Sequence, residues 1–204
     1  MPYASGGERG GMKTSAQRIF AVAAVRLAVG MLGLVASLGK PGGNVTGLSL
    51  QTTDSARKRL QIARVLVSRP RLVFMDEPTG GLDVSVQAAI INLLVDIQKK
   101  RGSTLLFISH DLSVVRYLAD NVAVMYLGRI VELGETEALY AQPRHPYTRG
   151  LIGSIPSLHR QEGRLAQIDG AMPRLDALPP GCSFCPRCPN AFDPCGTRRP
   201  ELVP

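Results

Sequence analysis

The chain has 204 residues, 45% hydrophobic and 20% charged, enough for one ordinary domain and an appendage. Its net charge of +8 suits a nucleotide, a nucleic acid or an anionic membrane surface alike. With no Trp, five Phe, five Tyr and no basic patch interleaved with them, it lacks a stacking platform for single strands, so nucleic acid is not expected as a partner.

Ile19 to Leu38 is almost wholly apolar and follows Lys13 and Arg18, the outline of an export signal or a membrane span. Arg26 inside it would cost about 2.5–3.5 kcal/mol at mid-bilayer, and Gly30 and Gly33 weaken a helix there. Export is therefore the lesser reading. Arg71 to Met75 is a short apolar run ending in Asp76-Glu77-Pro78, which predicts a buried strand entering a loop. Val86, Ile90, Leu93, Leu94 and Ile97 then share one helical face, with Asp83 as N-cap and Gly102 as the stop. Thr104 to Ile108 reads as a second buried strand carrying Ser109-His110-Asp111 at its tip. Asp111 caps a helix through Leu112, Val115, Leu118 and Ala119. Val122 to Tyr126 and Ile130 to Leu133 read as strands joined at Gly128-Arg129. After Tyr140 the frequent prolines and all four cysteines mark a loop-rich tail.

This alternation predicts an α/β fold, a parallel sheet with crossover helices, with ligands at the carboxyl ends of the strands. Asp76, Glu77 and His110 fall there. An acidic pair after an apolar strand suits metal-assisted phosphoryl transfer, one carboxylate holding Mg²⁺ and the other orienting or deprotonating water. Either feature alone is more often a turn former or a plain loop histidine. Together, on consecutive strands, they point at one site.

Leu72-Val-Phe-Met-Asp-Glu-Pro-Thr-Gly-Gly-Leu-Asp83 resembles the Walker B strand, catalytic glutamate and D-loop of ATP-binding-cassette (ABC) ATPases, and Leu106-Phe-Ile-Ser-His-Asp111 resembles their switch-histidine loop. The resemblance runs from about Arg57 to the end. It implies a partial P-loop NTPase core binding ATP and Mg²⁺. Asp76 would hold Mg²⁺ through water, Glu77 would be the general base, His110 would contact the γ-phosphate, and Asp83 would couple two ATP sites across a dimer. Pro143-Arg-His-Pro-Tyr-Thr148, with Leu151 and Ile155-Pro156, resembles the tail of oligopeptide and dipeptide importer ATPases. That subfamily implies ATP-driven peptide uptake with transmembrane permease subunits and a second ATPase subunit, on the cytoplasmic face of the inner membrane. One stretch, from Leu60-Gln-Ile-Ala-Arg64 to Ser85-Val-Gln87, is also similar to a nucleotide-binding subunit of the carbon–phosphorus lyase system, which is the alternative.

Two family motifs are not in place. No Gly-x-x-x-x-Gly-Lys-Ser/Thr loop occurs; the nearest approach, Gly33 to Lys40, has its glycines one residue too far apart and Pro41 where the hydroxyl belongs. Where the family's signature precedes the helix of Gln61 to Arg64, this chain has Thr52-Thr53-Asp54-Ser55, and Asp54 would set a carboxylate against a phosphate. Leu34 to Asp54 instead resembles a segment of an ABC substrate-binding protein family, which puts a junction near Asp54 to Arg59. The expected layout is a basic and apolar segment (1–33), a foreign-looking segment (34–56), the ABC core portion (57–142) and the tail (143–204). The strands ending at Asp76 and Ser109 are then expected to expose apolar flanks, partly covered by residues 19 to 38.

Cys182, Cys185, Cys188 and Cys195 give a C-x2-C-x2-C-x6-C spacing. Close cysteines with Pro between them and Gly181 and Gly196 at the flanks suit zinc or an iron–sulfur cluster, with reduced or disulfide-bonded thiols as the other outcome. The importer resemblance implies cluster ligands at Cys182, Cys188 and Cys195, with Cys185 substituting for a fourth cysteine that has no counterpart here.

Overall fold

A computed structural model describes residues 19–23, 45–49, 55–67, 69–156, 167–174 and 176–203. Six strands form one sheet: β1 (Ile19–Ala23), β2 (Val45–Ser49), β3 (Leu72–Asp76), β4 (Thr104–Ile108), β5 (Asn121–Tyr126) and β6 (Arg129–Glu135). Their order is β2-β3-β4-β1-β5-β6, parallel throughout except for the antiparallel β5–β6 hairpin. The helices are α1 (Ser55–Val67), α2 (Val84–Arg101), α3 (Leu112–Leu118), α4 (Thr136–Ala141) and α5 (Pro146–Gly153). The expected α/β class with a parallel sheet is the one observed.

Alternation along the strands sorts the core. Val73, Met75, Leu105, Phe107, Val122 and Val124 face one side, where Ile90, Ile91 and Leu94 of α2 and Val114, Val115 and Leu118 of α3 close over them. Phe74, Ile108 and Met125 make a smaller buried cluster on the other face.

The caps form as their residue types direct. The Asp83 carboxylate accepts from the Val86 N–H at 2.9 Å, and Gly102 ends α2 at φ 66°, its N–H donating to the Gln98 carbonyl. Asp111 accepts from the Ser113 and Val114 N–H groups at 3.0 and 3.2 Å and so starts α3. At the other end of the sheet, the Ser103 hydroxyl donates to the Pro70 carbonyl at 2.8 Å, tying the entry of β4 to that of β3. Leu127 (φ 46°) and Gly128 (φ 77°) turn the β5–β6 hairpin with two left-handed residues, the turn whose twist matches paired strands.

Two elements depart from expectation. Ile19–Ala23, the start of the stretch with the outline of a signal or span, is a central strand, parallel to β4 on one side and β5 on the other. Residues 24 to 38 of that apolar stretch lie outside the described residues. Val45–Ser49 pairs with β3, so β3 and β4 are each flanked on both sides and their apolar residues Val73, Met75, Phe107 and Ile108 are buried. The expected exposed flanks are not there, because backbone pairing from upstream fills both positions. The positions replacing the signature, 52 to 54, are also outside the described residues.

The tail is anchored rather than loose. Phe184, 1% exposed, sits edge-on to Tyr126 at 5.2 Å and tilted on Tyr147 at 5.5 Å, while Tyr126 and Tyr147 are 4.7 Å apart. Arg187 reinforces the contact by donating to the Ile168 and Asp169 carbonyls, each at 3.1 Å.

Ala21 is wholly buried between two strand neighbours. Ala21→Asp would bury an unpaired carboxylate and is expected to cost about 3–5 kcal/mol in urea denaturation. A loss under about 1 kcal/mol would place β1 outside the core.

Candidate functional site

The pairing of β3 with β4 sets Asp76 opposite Ile108, so the residues that follow each strand emerge side by side at the carboxyl end of the sheet. The Glu77 N–H donates to the Ile108 carbonyl at 3.0 Å, one step beyond the last strand pair. Glu77 itself has φ 48°, a left-handed conformation that only an over-determined setting imposes on a residue with a side chain. Its Oε1 accepts from the His110 backbone N–H at 3.1 Å and from the His110 ring at 2.7 Å. A carboxylate can only accept here, so Nδ1 carries the proton in that contact. The His110 side chain is 80% exposed and that of Glu77 26%, so the pair opens to solvent from one side.

The loop after Glu77 is tightly turned. Gly80 N–H donates to the Glu77 carbonyl and Leu82 N–H to that of Thr79, and Thr79 is buried. Asp83 then spends its carboxylate on the α2 cap rather than on Glu77 or His110. The structure thus brings Glu77 and His110 into contact, places Asp76 next to them on β3, and sets Asp83 at the start of the adjoining helix.

Two contributors were not singled out as site residues. Gln87, one turn into α2, donates to the second carboxylate oxygen of Asp111 at 3.2 Å, and the Ser109 hydroxyl accepts from the Asp111 N–H at 3.1 Å. Together they bind the loop bearing His110 to the helix that begins at Asp83. A glutamine on a half-buried helix face reads as surface, so only the fold reveals this link.

Mg²⁺ and ATP fit the residues in part. Asp76 and Glu77 are hard oxygen donors at a strand end, and Asp76 could hold Mg²⁺ through water. No phosphate-binding loop of the Gly-x-x-x-x-Gly-Lys-Ser/Thr type exists in the sequence to cradle the phosphates.

The cysteines follow a run of short turns. Cys185 N–H donates to the Cys182 carbonyl, Cys188 N–H to that of Cys185 and Ala191 N–H to that of Cys188, three successive i→i+3 turns. Only Cys185–Arg187 forms a 3-10 turn, and Cys188 leaves it in an extended conformation. Zinc or an iron–sulfur cluster needs thiolates aimed at one point, with sulfur about 2.3 Å from zinc. Cys195 comes near by backbone contact, its carbonyl accepting from the Cys182 N–H at 2.8 Å. Desolvation, then the neighbouring thiols of Cys195, Cys182 and Cys188, push the Cys185 thiol above its ordinary value. Among the described residues no group of three or more His, Cys, Asp or Glu is placed to hold a metal ion. The expectation of zinc or a cluster at Cys182, Cys185, Cys188 and Cys195 therefore gains no support from the structure.

Comparison with known proteins finds likenesses in the later part of the chain. Residues 131–195 match the family model described as oligopeptide/dipeptide transporter, C-terminal region. The chain is 51% identical over 155 residues to the probable peptide ABC transporter ATP-binding protein y4tS of Sinorhizobium fredii, covering 76% of this chain and 44% of the relative. It is 46% identical over 147 residues to the oligopeptide transport ATP-binding protein AppD of Bacillus subtilis, covering 72% of this chain and 45% of the relative. Against the dipeptide transport ATP-binding protein DppD of the same organism it is 42% identical over 173 residues, covering 85% and 51%. The chain spans about half the length of the curated relatives it matches. No helix among the described residues is long and apolar enough to cross a membrane.

Within the transporter region, the cysteine loop closes on itself at Gly181. A Cβ there would lie 2.4 Å from the Cys195 carbonyl oxygen and 2.6 Å from the Gly196 carbonyl carbon, both backbone atoms. Gly181→Ala is therefore expected to open the loop at a cost of about 1–3 kcal/mol. Faster alkylation of Cys182 and Cys195 under native conditions is the readout, and unchanged rates would show that the loop closes without this contact.

Proposed function

We propose that this chain supplies the second half of the ATP site of a peptide ABC importer, as part of its ATP-binding subunit. The observation that carries the reading is the Glu77–His110 pair, joined at the ends of adjacent parallel strands in a chain whose following residues match the oligopeptide/dipeptide transporter region. In this reading Glu77 takes the proton of the attacking water, His110 contacts the γ-phosphate, and Asp76 holds Mg²⁺ through water. Bound Mg²⁺ would supply charge neutralisation of the phosphates. Asp83 opens the helix that would face a second ATPase subunit, and the permease subunits would be met at the cytoplasmic face of the inner membrane. The relatives' names support peptides as the transported class.

Glu77 and His110 alone do not make the reaction fast. Phosphoryl transfer owes most of its acceleration to positioning and charge stabilisation of the phosphates, and the loop that does this in P-loop enzymes has no counterpart in the sequence. The upstream segment, read as a junction near Asp54 to Arg59, leaves no signature serine to complete a partner's site.

The purified chain is expected to show no ATP turnover above a Glu77→Gln control, in a phosphate-release assay with Mg²⁺ at saturating nucleotide. Turnover abolished by Glu77→Gln would overturn this and show that the phosphates are held by other groups. Isothermal titration with ATP separates a weakened enzyme from a remnant, since only the former retains measurable nucleotide affinity.

A further inference from the structure

His145 sits where the core, α5 and the cysteine-bearing tail meet. Its ring packs on Phe184 of the tail at 5.7 Å, within the cluster of Tyr126, Tyr147 and Phe184. The backbone N–H of His145 and that of Arg144 donate to the two carboxylate oxygens of Glu132 on β6, at 3.0 and 2.8 Å. The ring also caps α5, its Nδ1 accepting from the Tyr147 N–H at 3.1 Å.

That cap works in one protonation state only. Nδ1 can accept when the imidazole is neutral and its proton is on Nε2; an imidazolium presents N–H at both nitrogens. Protonation would set one N–H against another, uncap the first turn of α5 and place a positive charge at a helix N-terminus, which is unfavourable. The groups around the ring do not cancel this. Glu132 favours the cation, but both its oxygens already accept from backbone. Arg144, Arg199 and Glu201 line the same cavity as His145, so charges of both signs face it. Burial pushes the Tyr147 phenol up, so it stays neutral in the acid range.

We propose that neutral His145 is a pH-sensitive pin that holds the transporter tail on the core, and that proton uptake by its imidazole releases the tail. Burial holds the His145 imidazole below its ordinary value of 6.5, with Glu132 pulling the other way. The sign follows. A base whose folded value is depressed takes up its proton more readily when undocked. Its contribution is complete above about pH 6.5 and is lost as pH falls toward the folded value. The inference concerns the tail and does not depend on the reading of the ATP site.

The test is hydrogen exchange followed by mass spectrometry on the full chain between about pH 5 and 8, corrected for intrinsic rates. Peptides spanning 146–153 and 182–196 are expected to lose protection as pH drops below about 6.5, by up to about tenfold per pH unit, while peptides in β3 and β4 hold theirs. His145→Asn keeps a capping acceptor that does not titrate, and is expected to flatten the acid step. His145→Ala is expected to lower protection of both peptides at every pH without a step. The same acid step in His145→Asn, or no step in the parent chain, overturns the proposal. An independent check needs no variant: the chain has three histidines, and the ring-proton resonance of His145 should titrate below about 6.5, in step with the loss of protection. Titration at or above that value would also overturn it.

Discussion

Five backbone pairings between β3 and β4, from Leu72 opposite Thr104 to Asp76 opposite Ile108, decide where the candidate catalytic groups lie. Parallel pairing keeps both chains running to the same edge, so the loop after Asp76 and the loop after Ile108 emerge together. A slip of one residue would displace the two ends by about 3.3 Å and turn Phe74 and Ile108 to the opposite faces. The buried clusters on both faces oppose that slip. The Glu77 N–H extends the ladder onto the Ile108 carbonyl, and the Glu77 carboxylate extends it again onto His110. The site is thus a continuation of strand pairing into side-chain chemistry.

That ladder in turn leans on β1. Without Ile19–Ala23, β4 would be an edge and β5 would have only β6 beside it; with it, Ile19 stands opposite Leu105 and Phe20 opposite both Leu106 and Asn121. These partners are far apart in sequence, so the centre of the sheet forms only after a long loop closes, a cost paid before the pairing repays it. The Glu77–His110 contact therefore depends on a stretch of chain that contributes nothing to its chemistry.

Much of this was legible, and the exceptions have physical causes. Asp83, Gly102 and Asp111 were readable as caps because each residue type answers a local backbone need. Asp76, Glu77 and His110 were readable as a group because strand ends in an alternating α/β pattern converge. β1 was not, since a strand paired on both edges that reads as a continuous apolar run merges into the apolar residues that follow it. β2 was hidden by its own composition: Val45-Thr-Gly-Leu-Ser49 reads as a loop until β3 offers it a partner. The tail is loop-rich as its prolines direct, but its packing was not readable: Phe184 is 1% exposed, and α5 begins on Pro146, where a missing N–H costs nothing.

The last step concerns which oxygen of Glu77 could do chemistry. Oε1 is engaged twice by His110, through backbone and ring, so a water would have to be met by Oε2. Gly80 turns back beneath that oxygen: a Cβ at this position would lie 3.7 Å from Oε2, 3.6 Å from the Glu77 Cβ and 3.4 Å from the Glu77 carbonyl oxygen. A side chain there would occupy the space beside the carboxylate that water needs. The glycine after Thr79 is therefore explained by access rather than by backbone freedom, since a Cβ would meet only ordinary contacts and the loop itself could accommodate it. The left-handed Glu77 and the clear flank at Gly80 act together, one aiming the carboxylate toward His110 and the other leaving its far oxygen open. Both features arise at the strand end and in the turn that follows it, residues that lie side by side in the chain.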